Sequence, residues 1–204
     1  MKLGIFGGSF NPPHNGHINA AENFYKSIPL DLLLIVPSKK PVHKELLGNA
    51  STDDRLEMTR LAFSRSDINT CIYEGELRRE TPSYSIETLK ALKNEYPKDE
   101  LYLYVGDDMF LSFETWKDYK EIFSLCTVFV MTRGERVSAL FDKKRELENE
   151  TPCKIIISEK EPFIVSSTQI REEIARKNFD LEIPARVLEY IKEKRLYRQD
   201  TEEK

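Results

Sequence analysis

Two histidines, His14 and His17, flank Asn15-Gly16 at the end of Gly7-Gly8-Ser9-Phe10-Asn11-Pro12-Pro13-His14-Asn15-Gly16-His17. An imidazole can donate a hydrogen bond to a phosphate oxygen and stabilise charge as it builds there. Paired glycines let the backbone approach such a ligand, because no Cβ holds it off. Amides of the turn and of a following helix N-terminus favour anions. A second cluster, Ser166-Ser167-Thr168-Gln169-Ile170-Arg171, sets three hydroxyls ahead of an arginine one helical turn on. Its hydroxyls and amides can donate, and Arg171 can pair with phosphate. The two stretches together predict a site for a polyphosphate. Each alone has a plainer reading: a tight turn beside solvated histidines, and an ordinary capped helix.

Metal binding is a rival use for histidine. The chain holds three histidines in all, and no carboxylate stands near His14 and His17 at ligand spacing, so no protein-held metal is expected. There is no GxxxxGK[ST] phosphate loop and no GxGxxG fingerprint.

These residues need a scaffold, and hydrophobic periodicity predicts one. Continuous or alternating apolar runs at 3–6, 32–36, 68–73, 101–105, 126–131 and 154–157 read as strands. Helical spacing falls between them at 16–27, from Ser51 through Phe63, 85–96, 110–122 (one helix or two short ones), 137–150, 165–176 and 185–194. Ser51 is one N-cap candidate. For 85–96 the candidates are Ser85 with Thr88, or Ser83. Such alternation predicts an α/β, Rossmann-like doubly wound parallel sheet, with a small helical part at about 166–198. Residues 1–204 read as one domain. Ligands of such sheets bind beyond the C-terminal strand edges. Three turns lie there: 7–17, Gly106-Asp107-Asp108, and the basic loop 36–44 with Lys39, Lys40, His43 and Lys44.

Composition narrows the partners. With a formal charge of −4, the chain lacks the basic excess of a nucleic-acid binder. Cys71, Cys126 and Cys153 are odd in number and include no CxxC pair, which suits reduced thiols. No apolar stretch approaches the ~18 residues of a membrane helix. Lys2 leads straight into a strand rather than a leader sequence, so a cytoplasmic location is expected.

The stretch Gly7 to His17 resembles the HxGH signature of the nucleotidyltransferase superfamily, and Ser166 to Arg171 is similar to its SSTxIR stretch. Pro82-Ser83-Tyr84-Ser85-Ile86-Glu87-Thr88-Leu89 is similar to the SYTxDTL stretch of bacterial nicotinate mononucleotide adenylyltransferases. Val105-Gly106-Asp107-Asp108 resembles their GxD turn, Trp116 follows at their spacing, and 184–197 matches their C-terminal pattern. Departures are small: Ser9 stands for threonine, Asn11 for aspartate, Ser85 for threonine, and Asp107 for a small residue.

The resemblance implies transfer of AMP from ATP to nicotinate mononucleotide, with pyrophosphate leaving. The attack is in line and needs no general base, since a phosphate monoester is already anionic. His14, His17 and Arg171 would be catalytic. ATP would be held by Gly7, Gly8, Ser9, Phe10, His14, His17, Gly106, Asp108, Arg133, Ser166, Ser167, Thr168 and Arg171. Lys44, Tyr84, Ser85 and Trp116 would bind the acceptor, with Trp116 against the pyridine ring. Mg²⁺ would be bound through the ATP phosphates. The alternatives are adenylyl transfer to nicotinamide mononucleotide or phosphopantetheine, or a non-catalytic nucleotide-binding regulator. Oligomeric state, a homo-oligomer included, stays open.

Overall fold

The computed structural model describes residues 1–42, 46–132, 136–158, 160, 163 and 165–198. Six parallel strands form one sheet: β1 (Lys2–Gly8), β2 (Leu32–Pro37), β3 (Thr70–Ile72), β4 (Glu100–Gly106), β5 (Thr127–Met131) and β6 (Ile155–Ser158). Their order is β3-β2-β1-β4-β5-β6, so the chain reverses direction across the sheet between β1 and β4. The helices are α1 (Asn15–Ser27), α2 (Thr52–Phe63), α3 (Ser85–Glu95), α4 (Asp107–Leu111), α5 (Tyr119–Leu125), α6 (Val137–Glu150), α7 (Ser167–Ala175) and α8 (Ala185–Lys194). This is the doubly wound Rossmann-like architecture.

Side-chain alternation builds both layers. Phe6, Leu33, Ile35, Tyr102, Phe129 and Met131 face α1, α2, α7 and α8. Leu3, Ile5, Leu34, Val36, Leu101, Leu103, Val105, Val128 and Val130 face α3, α5 and α6. A strand buried on both faces must be apolar at consecutive positions, which is the pattern of 32–36 and 126–131. Ile170, Ile174, Val187, Ile191 and Leu196 join the first layer, so the C-terminal helices share the core beneath α1 and α2.

Two sequence expectations change, and a third is narrowed to its two-helix alternative. Strand 68–73 is only three residues long, at the sheet edge. Segment 110–122 divides into α4, a 3₁₀ turn at Phe113–Thr115, and α5, with Asp118 at a left-handed φ of 53°. Neither Ser83 nor Ser85 caps α3: Tyr84 holds the N-cap position and makes no side-chain cap bond.

The Ser51 cap is present and carries a titratable partner. Ser51 Oγ accepts from the Asp54 amide (3.1 Å), and Asp54 Oδ2 accepts from the Ser51 amide (2.9 Å). Asp54 Oδ1 also accepts from the Tyr190 hydroxyl of α8 (2.9 Å). Partial burial pushes the Asp54 carboxyl up, but the Ser51 hydroxyl and amide, Tyr190 and the charge of Lys194 outweigh it and hold the carboxyl below the ordinary range. Its stabilising contribution is therefore complete above the unfolded aspartate pKa and is lost as pH falls through the folded one. Asp54→Asn should cost about 1 kcal/mol at neutral pH. The deficit should begin to narrow below about pH 4, the unfolded aspartate pKa, and close as pH falls through the lower folded one. Thermal melts at pH 7 and pH 3 check this; an equal deficit at both would contradict it.

Candidate active site

At the β1–β4 switch point the sheet opens beyond its C-terminal edge, and β1 ends there in Gly7-Gly8. Among the described residues, its chain neighbours aside, a Cβ on Gly7 would meet no protein atom within 4 Å. That backbone borders open space a ligand can enter. The turn then passes through Phe10, at φ 46°, and a cis Asn11–Pro12 bond into α1. Phe10 is fully buried, and its ring meets His17 edge-on at 5.2 Å.

The two histidines form a reciprocal cap on α1. His14 is the N-cap, and its Nδ1 accepts from the His17 amide (3.3 Å); His17 Nδ1 accepts from the His14 amide (3.2 Å). The rings lie 3.7 Å apart between centroids. Because both Nδ1 atoms accept, the proton of each neutral imidazole sits on Nε2. The local fold thus sets the tautomer that makes Nε2–H the donor of each ring. Gly16 makes room for this: a Cβ there would lie 3.0 Å from His14 Nδ1 and 3.0 Å from the Phe163 carbonyl oxygen. Gly16→Ala should displace the His14 ring by a few tenths of an ångström and, with the catalytic role that the motif resemblance implies for His14, lower turnover roughly three- to fivefold. Steady-state kinetics check it, and an unchanged kcat would contradict the packing argument.

The second motif closes onto the first. Ser166 caps α7 by accepting from the Thr168 amide (3.3 Å). Ser167 Oγ donates to the Pro12 carbonyl (3.0 Å). Arg171 donates from Nη1 to the Asn11 carbonyl (2.7 Å) and from Nη2 to Thr168 Oγ1 (3.1 Å). Segments some 155 residues apart in sequence therefore share one turn. At the end of β4, Asp107 is buried and its Oδ1 accepts from the Asp108 amide (2.9 Å), while Asp108 is exposed beside Gly106.

Tyr84, Ser85 and Trp116 come together. With Val42, Ser83 and Lys117 they line a small pocket that opens to solvent. Trp116 rests against the buried Phe113, ring centroids 4.9 Å apart. The Lys117 ammonium lies 4.9 Å above the Tyr84 ring and 2.9 Å from Glu87. Ser85 opens α3, a helix with no side-chain N-cap bond, and lines this cavity. Ser83 Oγ accepts from the Lys39 amide (3.1 Å) and the Lys40 amide (3.4 Å), which joins the cavity wall to the β2–α2 loop.

Lys44 and Arg133 lie outside the described residues. Sequence reading missed Arg55, Asn11 and Tyr197. The Tyr197 hydroxyl donates to Asn11 Oδ1 (2.7 Å), and Asn11 Nδ2 donates to the Leu47 carbonyl (2.8 Å). A carboxylate at position 11 could accept the first bond but not make the second. Arg55 had one readable signal: an arginine on the core-facing stripe of α2, in line with Met58, Thr59 and Ala62. Among the described residues no three His, Cys, Asp or Glu side chains gather into a metal-holding group, and no helix is long and apolar enough to cross a membrane.

A parallel switch-point sheet with a histidine-capped turn on one strand, closed by a hydroxyl-rich helix, has the build of a nucleotidyltransferase. The Cytidylyltransferase-like family model matches residues 5–173. A probable nicotinate-nucleotide adenylyltransferase of Geotalea uraniireducens is 36% identical, covering 97% of this chain and 98% of that protein. The nicotinate-nucleotide adenylyltransferase of Bacillus subtilis is 34% identical, over 96% and 98%. The Plasmodium falciparum nicotinic acid mononucleotide adenylyltransferase in complex with NaAD has the same fold, with a TM-score of 0.76 at 19% identity, over 96% of this chain and 97% of that one. The chain belongs to the Cytidylyltransferase-like superfamily and, within it, to the nicotinate-nucleotide adenylyltransferase family.

Proposed function

We infer that the chain transfers AMP from ATP to nicotinate mononucleotide, giving nicotinate adenine dinucleotide and pyrophosphate, a step of NAD biosynthesis. The observation that carries this reading is the joining of two half-sites. A histidine-capped phosphate turn at the switch point is linked, through Ser38 N to Gly8 O (2.9 Å) and the Lys39 and Lys40 amides to Ser83, with an aromatic-lined cavity.

The mononucleotide phosphate attacks the α-phosphorus of ATP in line, and the bond to pyrophosphate breaks. The nucleophile is already an anion, so catalysis is positioning and charge stabilisation. His14 and His17 donate from Nε2 to the reacting phosphates, a role supported by their fixed tautomer. Ser166, Ser167, Thr168 and Arg171 hold the triphosphate, and Gly7, Gly8 and Ser9 supply close backbone. Phe10 serves through His17, whose ring it braces. Gly106 and Asp108 serve the adenosine side; the family resemblance gives Arg133 a nucleotide-binding role and Lys44 a phosphate-binding one.

Trp116 and Tyr84 flank the pyridine ring. The Ser85 hydroxyl and the uncapped α3 amides suit a carboxylate, with Lys117 adding positive charge nearby. That chemistry favours nicotinate over nicotinamide. The described residues form no cage for Mg²⁺. They fit a Mg²⁺ carried on the ATP phosphates, where it would offset charge. A cytoplasmic enzyme using these two soluble nucleotides fits the chain.

Incubation with ATP, Mg²⁺ and nicotinate mononucleotide should release pyrophosphate and form the dinucleotide one for one. Pyrophosphate without dinucleotide, or neither, would contradict the reading.

A further inference from the structure

Arg55, in the first turn of α2, has no part in the scheme above, yet among the described residues it is the largest fully buried side chain, 1% exposed. Its Nη1 donates to the carbonyls of Ser9 (2.8 Å) and Ser38 (2.6 Å). Its Nη2 reaches the Lys39 carbonyl (3.3 Å) and Thr52 Oγ1 (3.4 Å). None of these partners is a carboxylate. Its Nε has no hydrogen-bond partner. Burying a cation without a counter-charge is costly, and an apolar side chain of similar volume would fill the same space without that cost. Pairing these carbonyls offsets that cost, so burial by itself gives no reason for a guanidinium here.

Its partners do give one. Ser9 belongs to the turn that carries His14 and His17. Ser38 and Lys39 begin the β2–α2 loop, whose Lys39 and Lys40 amides bind Ser83 and whose Val42 lines the aromatic cavity. Nη1 thus holds one carbonyl from each loop while Nη2 reaches a second carbonyl of the β2–α2 loop, so one rigid planar group grips both. Among the described residues no carboxylate forms an ion pair with Arg55, whose charge lies beneath the turn assigned to the phosphates.

We propose that Arg55 is a positioning residue for adenylyl transfer, a strut that fixes the distance between the nucleotide turn and the acceptor wall. This rests on the function inferred above. It predicts that losing the fork disturbs both substrates at once, whereas a change on one wall disturbs one.

The test compares Arg55→Met, Arg55→Lys and Ser83→Ala, each assayed well below its melting temperature and normalised to folded protein. Arg55→Met should lower kcat about tenfold and raise KM about fivefold for ATP and for nicotinate mononucleotide alike, as expected of a misplaced reacting pair. Arg55→Lys, with charge but no fork, should recover part of kcat. Ser83→Ala should raise KM for the mononucleotide alone. A lower melting temperature with kcat and both KM values within about twofold of wild type would overturn the proposal, because only a packing role predicts that. If Arg55→Met does not fold, Arg55→Lys decides on the same readout. If wild type forms no dinucleotide, the functional reading fails, and calorimetric titration with Mg-ATP still decides on the strut: weaker binding by Arg55→Lys supports it and equal binding overturns it.

Discussion

His17→Ala should lower kcat about 100- to 1,000-fold, the cost of removing one preorganised donor from a site of developing charge. The ring is braced by Phe10 at 5.2 Å and by stacking on His14 at 3.7 Å. It cannot be replaced by a mobile water without losing that preorganisation. Stability should fall far less. His17 Nδ1 caps the His14 amide, and losing such a cap costs about 1 kcal/mol. His17→Asn separates the two roles: its side-chain oxygen can still cap, but its amide cannot reach as far as Nε2. Melting should recover with asparagine while kcat does not. Unaltered turnover in His17→Ala would remove the histidine from the chemistry.

Trp116→Ala should raise KM for nicotinate mononucleotide roughly 30-fold and leave KM for ATP nearly unchanged. Ring stacking and the lost apolar area together are worth about 2 kcal/mol. Trp116 leans on Phe113, which is buried and packs in turn on Phe110 and Phe123. The platform is thus an extension of the core and presents a ring at fixed tilt. Trp116→Phe should recover part of the affinity. Substrate saturation curves for both nucleotides check this. A rise in KM for ATP instead would move the pyridine pocket elsewhere.

The legible parts of this molecule are those set by neighbours in sequence. Helices α6 and α8 begin and end where their apolar spacing predicts. The histidine cap is legible because His14 and His17 are three residues apart and satisfy each other. The cap of α3 was not, since the Ser83 hydroxyl is engaged by the Lys39 and Lys40 amides, and the Thr88 hydroxyl donates to Glu76 (2.7 Å). Both bonds come from segments no local pattern includes. Arg55 and Tyr197 were missed for the same reason: each acts on backbone or side chains of a distant turn, and Tyr197 meets Asn11 across 186 residues. Motifs made of consecutive residues announce the chemistry. The struts that hold them are chosen by the tertiary fold.

Choice of acceptor is the most direct test of the whole account. Purified protein, Mg-ATP and equal concentrations of nicotinate mononucleotide, nicotinamide mononucleotide or phosphopantetheine should be compared by initial rates of adenylylated product. A carboxylate-seeking pocket at the α3 N-terminus predicts nicotinate mononucleotide ahead of nicotinamide mononucleotide by at least about tenfold in kcat/KM, one charge-assisted hydrogen bond's worth, with no product from phosphopantetheine. Equal rates with the two mononucleotides, or a preference for phosphopantetheine, would contradict it.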